Sequence, residues 1–145
     1  MTAPSRTARR RAALARAAAA LLAALALSGC VLYSGEVSSS DTLAGGGNVS
    51  TSFVSAEGSD ERQLATGGTG DVDVITIVSA AEGTLTVDLL DPTGAVVFSV
   101  SNRSREPVTR SDTVPTDAEG ILRYRITATG ARNGSFQLLY QRAAP

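Results

Sequence analysis

The chain has 145 residues, one Cys, no His, and 13 basic residues that are all Arg, against 14 acidic ones. Without His or Lys there is no imidazole metal site, no Ser-His-Asp triad and no lysine chemistry, and a single Cys excludes an intramolecular disulfide and a cysteine-rich zinc site. Residues 1–29 carry five Arg and no acid, whereas residues 30–145 carry eight Arg against fourteen acids, a net −6, so the body would repel a phosphate backbone and no nucleic-acid partner is expected.

The basic block Arg9-Arg10-Arg11 through Arg16 precedes Ala17–Leu27, eleven residues of only Ala and Leu. A helical run of that length is too short for a hydrocarbon core, which takes about 20 residues, but it matches the apolar region of a cleaved signal peptide. The adjacent arginines raise a twin-arginine export route, although no Phe-Leu follows them.

Leu27-Ser28-Gly29-Cys30 closes this segment. The motif resembles the lipobox of bacterial lipoproteins: a Leu, two small residues that let an extended backbone enter a peptidase, and a Cys whose thiolate accepts diacylglycerol. The resemblance implies cleavage after Gly29 and a covalent lipid on Cys30. More than one acyl chain gives stable anchoring, so the mature product is expected on a membrane although no helix spans it. Position 31 is Val and not the Asp of inner-membrane retention. That favours the outer membrane where there is one, and otherwise the outer face of the cytoplasmic membrane.

After the leader (1–29), residues 30–47 are rich in Ser and Gly and read as a lipidated Cys followed by an extended tether. Tyr33–Val37 is the alternative, a first strand inside that stretch. From Asn48 the pattern has period two, punctuated by turn residues. Leu85, Val87 and Leu89 share a face; Asp91-Pro92-Thr93-Gly94 reads as a β-turn; Val96, Phe98 and Val100 share the next face. Glu119-Gly120 turns into Leu122, Tyr124, Ile126 and Ala128, with Arg123, Arg125 and Thr127 opposite. Asn133-Gly134 opens a strand whose inward set is Phe136, Leu138 and Tyr140. Short strands at this spacing predict an all-β domain over 48–142, an antiparallel β-sandwich or jelly roll.

Gly70-Asp71-Val72-Asp73, Glu82-Gly83-Thr84-Leu85-Thr86-Val87, Leu90-Asp91-Pro92-Thr93-Gly94, Glu119-Gly120 and Gly134-Ser135-Phe136-Gln137-Leu138 occur in this order. Together they resemble the bacterial pre-peptidase C-terminal domains, small β-sandwiches appended to secreted proteases and other exported proteins. This chain departs from that pattern in having Val74-Ile75 where the family usually places an aromatic pair. It also carries no attached protease.

Three groups of residues invite functional readings. Asp71, Asp73 and Asp91 offer the hard oxygen ligands that calcium prefers, with a plain turn entering a strand as the competing reading of Gly67–Asp73. One copy is too few for a calcium-binding repeat stack. Asp88 and Asp91 are too solvated for the acid and base of a glycosidase. Arg103, Arg105 and Arg110, with Arg123 and Arg125, suggest a patch for a carboxylate, sulfate or phosphate on an envelope protein or glycan or on the anionic lipid surface, or else edge protection and solubility. The expectation is a lipid-anchored envelope lipoprotein with a non-catalytic binding or structural module and no cofactor beyond the lipid. The alternative is a lipoprotein that binds a small ligand, calcium or glycan.

Overall fold

Three segments of twenty residues or more carry inward-facing side chains on both sides of a glycine bend, and each forms one long strand. In the computed structural model, which describes residues 30–103 and 105–143, these are β3 (Gly46–Ala65), β4 (Asp71–Leu90) and β7 (Ile121–Arg142). The shorter strands are β1 (Leu32–Ser34), β2 (Val37–Leu43), β5 (Val96–Ser101) and β6 (Val108–Pro115). All pairings are antiparallel, and no helix occurs among the described residues. Leu27, Ser28 and Gly29 lie outside the described residues.

Strands of this length exceed the usual ~3–10 residues and must bend to enclose a core. The ladder with β7 shifts register between Ala56 and Gly58 of β3 and between Glu82 and Thr84 of β4, beside Gly130 of β7. Gly58, Gly83 and Gly130 all have positive φ there. An extra residue and a left-handed glycine turn the ladder sharply, as bulges do. Each long strand therefore contributes to two layers. The first runs β2, β3 (46–56), β7 (131–142), β4 (71–80), β6; the second runs β3 (58–65), β7 (121–129), β4 (84–90), β5.

The layers face each other over one apolar core. Val72, Val74, Val78, Phe136, Leu138 and Tyr140 come from the first; Leu85, Val87, Leu89, Leu122, Tyr124 and Ile126 come from the second. Tyr140 Oη donates to the Ala65 carbonyl at 3.3 Å, tying the layers at the end away from the bends. Each fully buried side chain of this size contributes roughly 1.5–3 kcal/mol, which is what allows a disulfide-free sandwich. The expectation of an all-β antiparallel sandwich holds.

Three local expectations are corrected. Residues 30–47 are not a free tether: Leu32–Ser34 pairs with Ser55–Glu57, and Val37–Leu43 pairs with Gly46–Ser52. The strand alternative at Tyr33–Val37 is itself broken by Gly35, at φ 63°. Both faces of β2 are exposed, so β2 shows no apolar period, and its Ser-rich sequence resembles a linker. Val96 is exposed, because the β4–β5 register shifts between Leu89 and Leu90, so Phe98 and Val100 point inward without it. Asn133-Gly134 does not open a strand; it lies inside β7, where Asn133 takes a φ of 46°.

Candidate functional site

Cys30 is exposed and free, and β1 begins two residues after it. Along the chain Val31 alone separates Cys30 from β1, in place of the expected Ser/Gly spacer.

The acidic candidates are not brought into one site. Asp71 and Asp73 stand on the exposed face of β4, and Asp73 accepts the Thr113 hydroxyl at 2.6 Å. Asp91 has a structural task. Its Oδ1 accepts the Thr93 hydroxyl (2.6 Å), the Thr93 amide (2.8 Å) and the Ala95 amide (2.9 Å), while its carbonyl accepts from Gly94 N–H at 2.9 Å. The Thr93 hydroxyl, then the Ala95 amide, hold this carboxyl below its ordinary value of 3.8. Among the described residues no group of three or more His, Cys, Asp or Glu is placed to hold a metal. Asp91 thus commits its Oδ1 to its own loop, and Asp71, Asp73 and Asp91 are not gathered into one cluster.

The arginines separate into two kinds. Arg123 and Arg125 stand on the outer face of the second layer, where Arg125 meets Glu61 at 3.3 Å and Arg123 meets Asp117 at 3.9 Å. Glu61 is the cross-strand partner of Arg125, and Asp117 approaches Arg123 from the β6–β7 loop. Arg103, Arg105 and Arg110 form no ion pair among the described residues. Arg110 is opposite Thr76, so it faces the inner side of the first layer where the second layer ends. It reaches across to β5 and donates from Nη1 to the Ser99 carbonyl at 3.4 Å. Arg103 and Arg110 then line one open groove of about 690 Å³ with Ser99, Ser101, Glu106 and Val108. Arg105, at φ 63°, faces a different hollow beside Ala81 and Asn133. The patch is a pair of arginines in a groove, not a triad.

The loop that sets this groove is pinned from beneath. Asn102 Oδ1 accepts the Leu85 amide at 2.6 Å, its own amide donates to the Leu85 carbonyl at 3.0 Å, and its Nδ2 donates to the Gly83 carbonyl at 3.3 Å. Arg103 and Glu106 close it as a bridge, with Glu106 N–H donating to the Arg103 carbonyl at 2.9 Å.

Sequence reasoning missed a second polar cluster, on the opposite edge. Arg62 lies over the Tyr33 ring, 5.4 Å from its centroid, and pairs with Asp60 at 2.9 Å and Glu36 at 3.1 Å. Partial burial works against the guanidinium charge, but the hydrogen bonds to Asp60 and Glu36 outweigh it and push its pKa upward. Burial raises Tyr33 to about 12 despite the opposing pull of Arg62, and burial likewise raises Tyr124. The Tyr33 hydroxyl is buried without a partner. Asp60 and Arg62 are opposite Ile126 and Tyr124, so they are charges pointing inward from an edge strand. Their alternation with Glu61 was the available signal, since charge on both faces of a strand marks an edge.

No family model matches the chain, and no curated protein matches it. The groove can hold an anionic group by its two arginines. The Tyr33–Arg62 cluster is internally paired and acts as a clasp across the edge.

Proposed function

We propose that this chain is a lipoprotein of the bacterial cell envelope, lipidated on Cys30, whose β-sandwich is a non-catalytic binding or structural module. The observation that carries this reading is the Leu27-Ser28-Gly29-Cys30 motif at the end of an Ala/Leu run, with the chain's only Cys exposed immediately before β1. The order of turn and strand motifs resembling pre-peptidase C-terminal domains agrees with a module of exported proteins. A body without His or Lys leaves proton transfer to carboxylates and tyrosines, and two of those carboxylates, Asp91 and Asp73, serve as turn and sheet acceptors. With Val31 alone between Cys30 and β1, the sandwich rides close to the bilayer, about 7 Å of chain away. The membrane is the outer one where the cell has two, otherwise the cytoplasmic one. The groove of Arg103 and Arg110 is the surface we assign to a carboxylate, sulfate or phosphate of an envelope partner.

The test is incorporation of an alkyne fatty acid, with fractionation and mass spectrometry of the mature N-terminus. Wild type should carry label and sediment with membranes; Cys30→Ser should lose both. Label at another residue, or a Cys30→Ser protein that fractionates as wild type, would exclude the anchor. In-cell crosslinking then reads the groove: Arg103→Ala with Arg110→Ala should lose the partner, and Arg105→Ala should keep it.

A further inference from the structure

The free edges of the two layers are not equally protected. The open edge of β5 is capped by Arg110 on the Ser99 carbonyl, β6 is preceded by Pro107 and ends at Pro115, and the exposed margin of β3 is covered by Tyr33 and Arg62. β2 has no such device. Val37–Leu43 contains no Pro and no basic residue, pairs without a bulge, and is exposed at all 7 positions. Among the described residues only β3 pairs with it. A straight edge of this kind is a template for another strand.

Hydrogen-bond parity defines what β2 offers. Arg142 N–H donates to the Gly45 carbonyl at 2.8 Å, so Gly45, and by alternation Gly47 and Val49, direct their backbone groups toward β7. Gly46, Asn48 and Ser50 then direct theirs toward β2, where they are opposite Leu43, Asp41 and Ser39. Ser38, Ser40 and Thr42 are left with N–H and C=O turned outward. Side chains follow the same alternation: Ser38 points inward to the Thr51 hydroxyl at 2.7 Å, whereas Val37, Ser39, Asp41 and Leu43 stand on the outer face.

We propose that β2 is a self-association edge: a second copy of this chain adds antiparallel to it, centred on Ser40, and joins the first layers of both copies into one continuous sheet. In this register Ser40 is opposite Ser40, and Ser38 opposite Thr42 of the second copy. These are the residues whose backbone groups are free. On the outer face Val37, 69% exposed, meets the second copy's Leu43, 75% exposed, and the reverse pair covers the other two. Asp41 faces the hydroxyl of Ser39. Moving the centre to Asp41 would set carboxylate against carboxylate, and moving it to Ser39 would set Val37 against Asp41; both lose cross-strand energy. The seven-residue edge is thus complementary to itself in one register, as a two-fold interface requires. The axis runs perpendicular to the layer, so both Leu32 ends lie at one height along it, compatible with two chains anchored in one bilayer. This goes beyond the lipoprotein reading and does not depend on it.

The test uses the full chain expressed in its host, extracted in detergent, and measured by light scattering with the detergent contribution subtracted. Wild type should have twice the mass of Ser40→Pro. Proline there removes only the outward N–H and is tolerated on an edge strand, so the variant should keep the wild-type melting temperature. With a mild oxidant added to the purified protein, Ser40→Cys should form a disulfide-linked dimer, because paired residues of this type lie about 5.5 Å apart at Cα, within disulfide reach. Ser38→Cys should not, since the two Ser38 residues fall four positions apart, roughly 13 Å. A monomeric wild type, a dimeric Ser40→Pro, or equal crosslinking of both Cys variants would overturn the proposal. If Ser40→Pro does not fold, the contrast between the two Cys variants decides.

Discussion

Tyr124 and Phe136 belong to the same strand, yet their rings meet edge to face across the core, with centroids 6.2 Å apart at 61°. Two inward residues twelve positions apart on one strand touch only because β7 folds back on itself at Gly130. Phe136 is 1% exposed. Truncation to Ala should lower unfolding free energy by about 3–5 kcal/mol, measured by denaturant titration. Ile75→Ser, on the outer face of the same layer, should change it by less than about 0.5 kcal/mol. Equal effects would mean that the layers do not share this contact.

Alkaline pH should weaken the fold through the clasp. Tyr33 titrates at about 12 in the folded chain and near 10 when unfolded, so between those values the unfolded state releases its proton first. Stability is full below pH 10 and falls as pH rises toward 12. Tyr33→Phe should flatten that decline and leave stability at pH 7 unchanged or slightly higher, because the hydroxyl it removes is buried without a partner. Melting temperature against pH, with tyrosinate absorbance, reads both effects.

Two glycines of positive φ separate strain from collision. A Cβ on Gly83 (φ 70°) would strike the backbone carbonyl of Gly130, where β4 and β7 bend together, whereas one on Gly94 (φ 86°) would meet open space. Gly94→Ala should cost the conformational term alone, about 1–2 kcal/mol. Gly83→Ala should cost clearly more, since backbone must move as well. Thermal melts of the two variants give the comparison, and a Gly83→Ala no worse than Gly94→Ala would show that the bend is pliable.

Asp91 should behave as a turn residue and not as a metal ligand. Its depressed pKa means that its stabilising contribution is present above pH 3.8 and is lost as pH falls further. Asp91→Ala should melt lower than wild type at pH 7, with the gap closing in strong acid. Dialysis against a chelator should leave the wild-type melting temperature in place; a fall of several degrees would restore calcium to this loop.

The core was legible because alternation reports burial directly: Leu85, Val87, Leu89, Leu122, Tyr124, Ile126, Phe136, Leu138 and Tyr140 all point inward as their period demands. What hid from that reading lacked a buried face or needed a partner far along the chain. β2 has two exposed faces and so no period. Glu36 and Arg62 meet only because β1 and β2 bring residues 32–43 alongside β3. The continuity of β3, β4 and β7 was also hidden, since glycines such as Gly83 and Gly130 read as turns between strands when they are bends within one. The arginine groove was visible in part. Composition picked out Arg103, Arg105 and Arg110, but only the loop pinned by Asn102 shows which two converge.

The three bent strands leave no seam between the layers. Where two sheets are joined by loops, one can slide, hinge or be exchanged between molecules while the other survives. Here parting the layers would unmake the ladder at Ala56, Glu82 and Gly130 at once, and each of those breaks lies in a strand that the opposite layer also needs. Opening the core would have to disturb all three bends together, so the two layers are expected to come apart as one unit and not in turn.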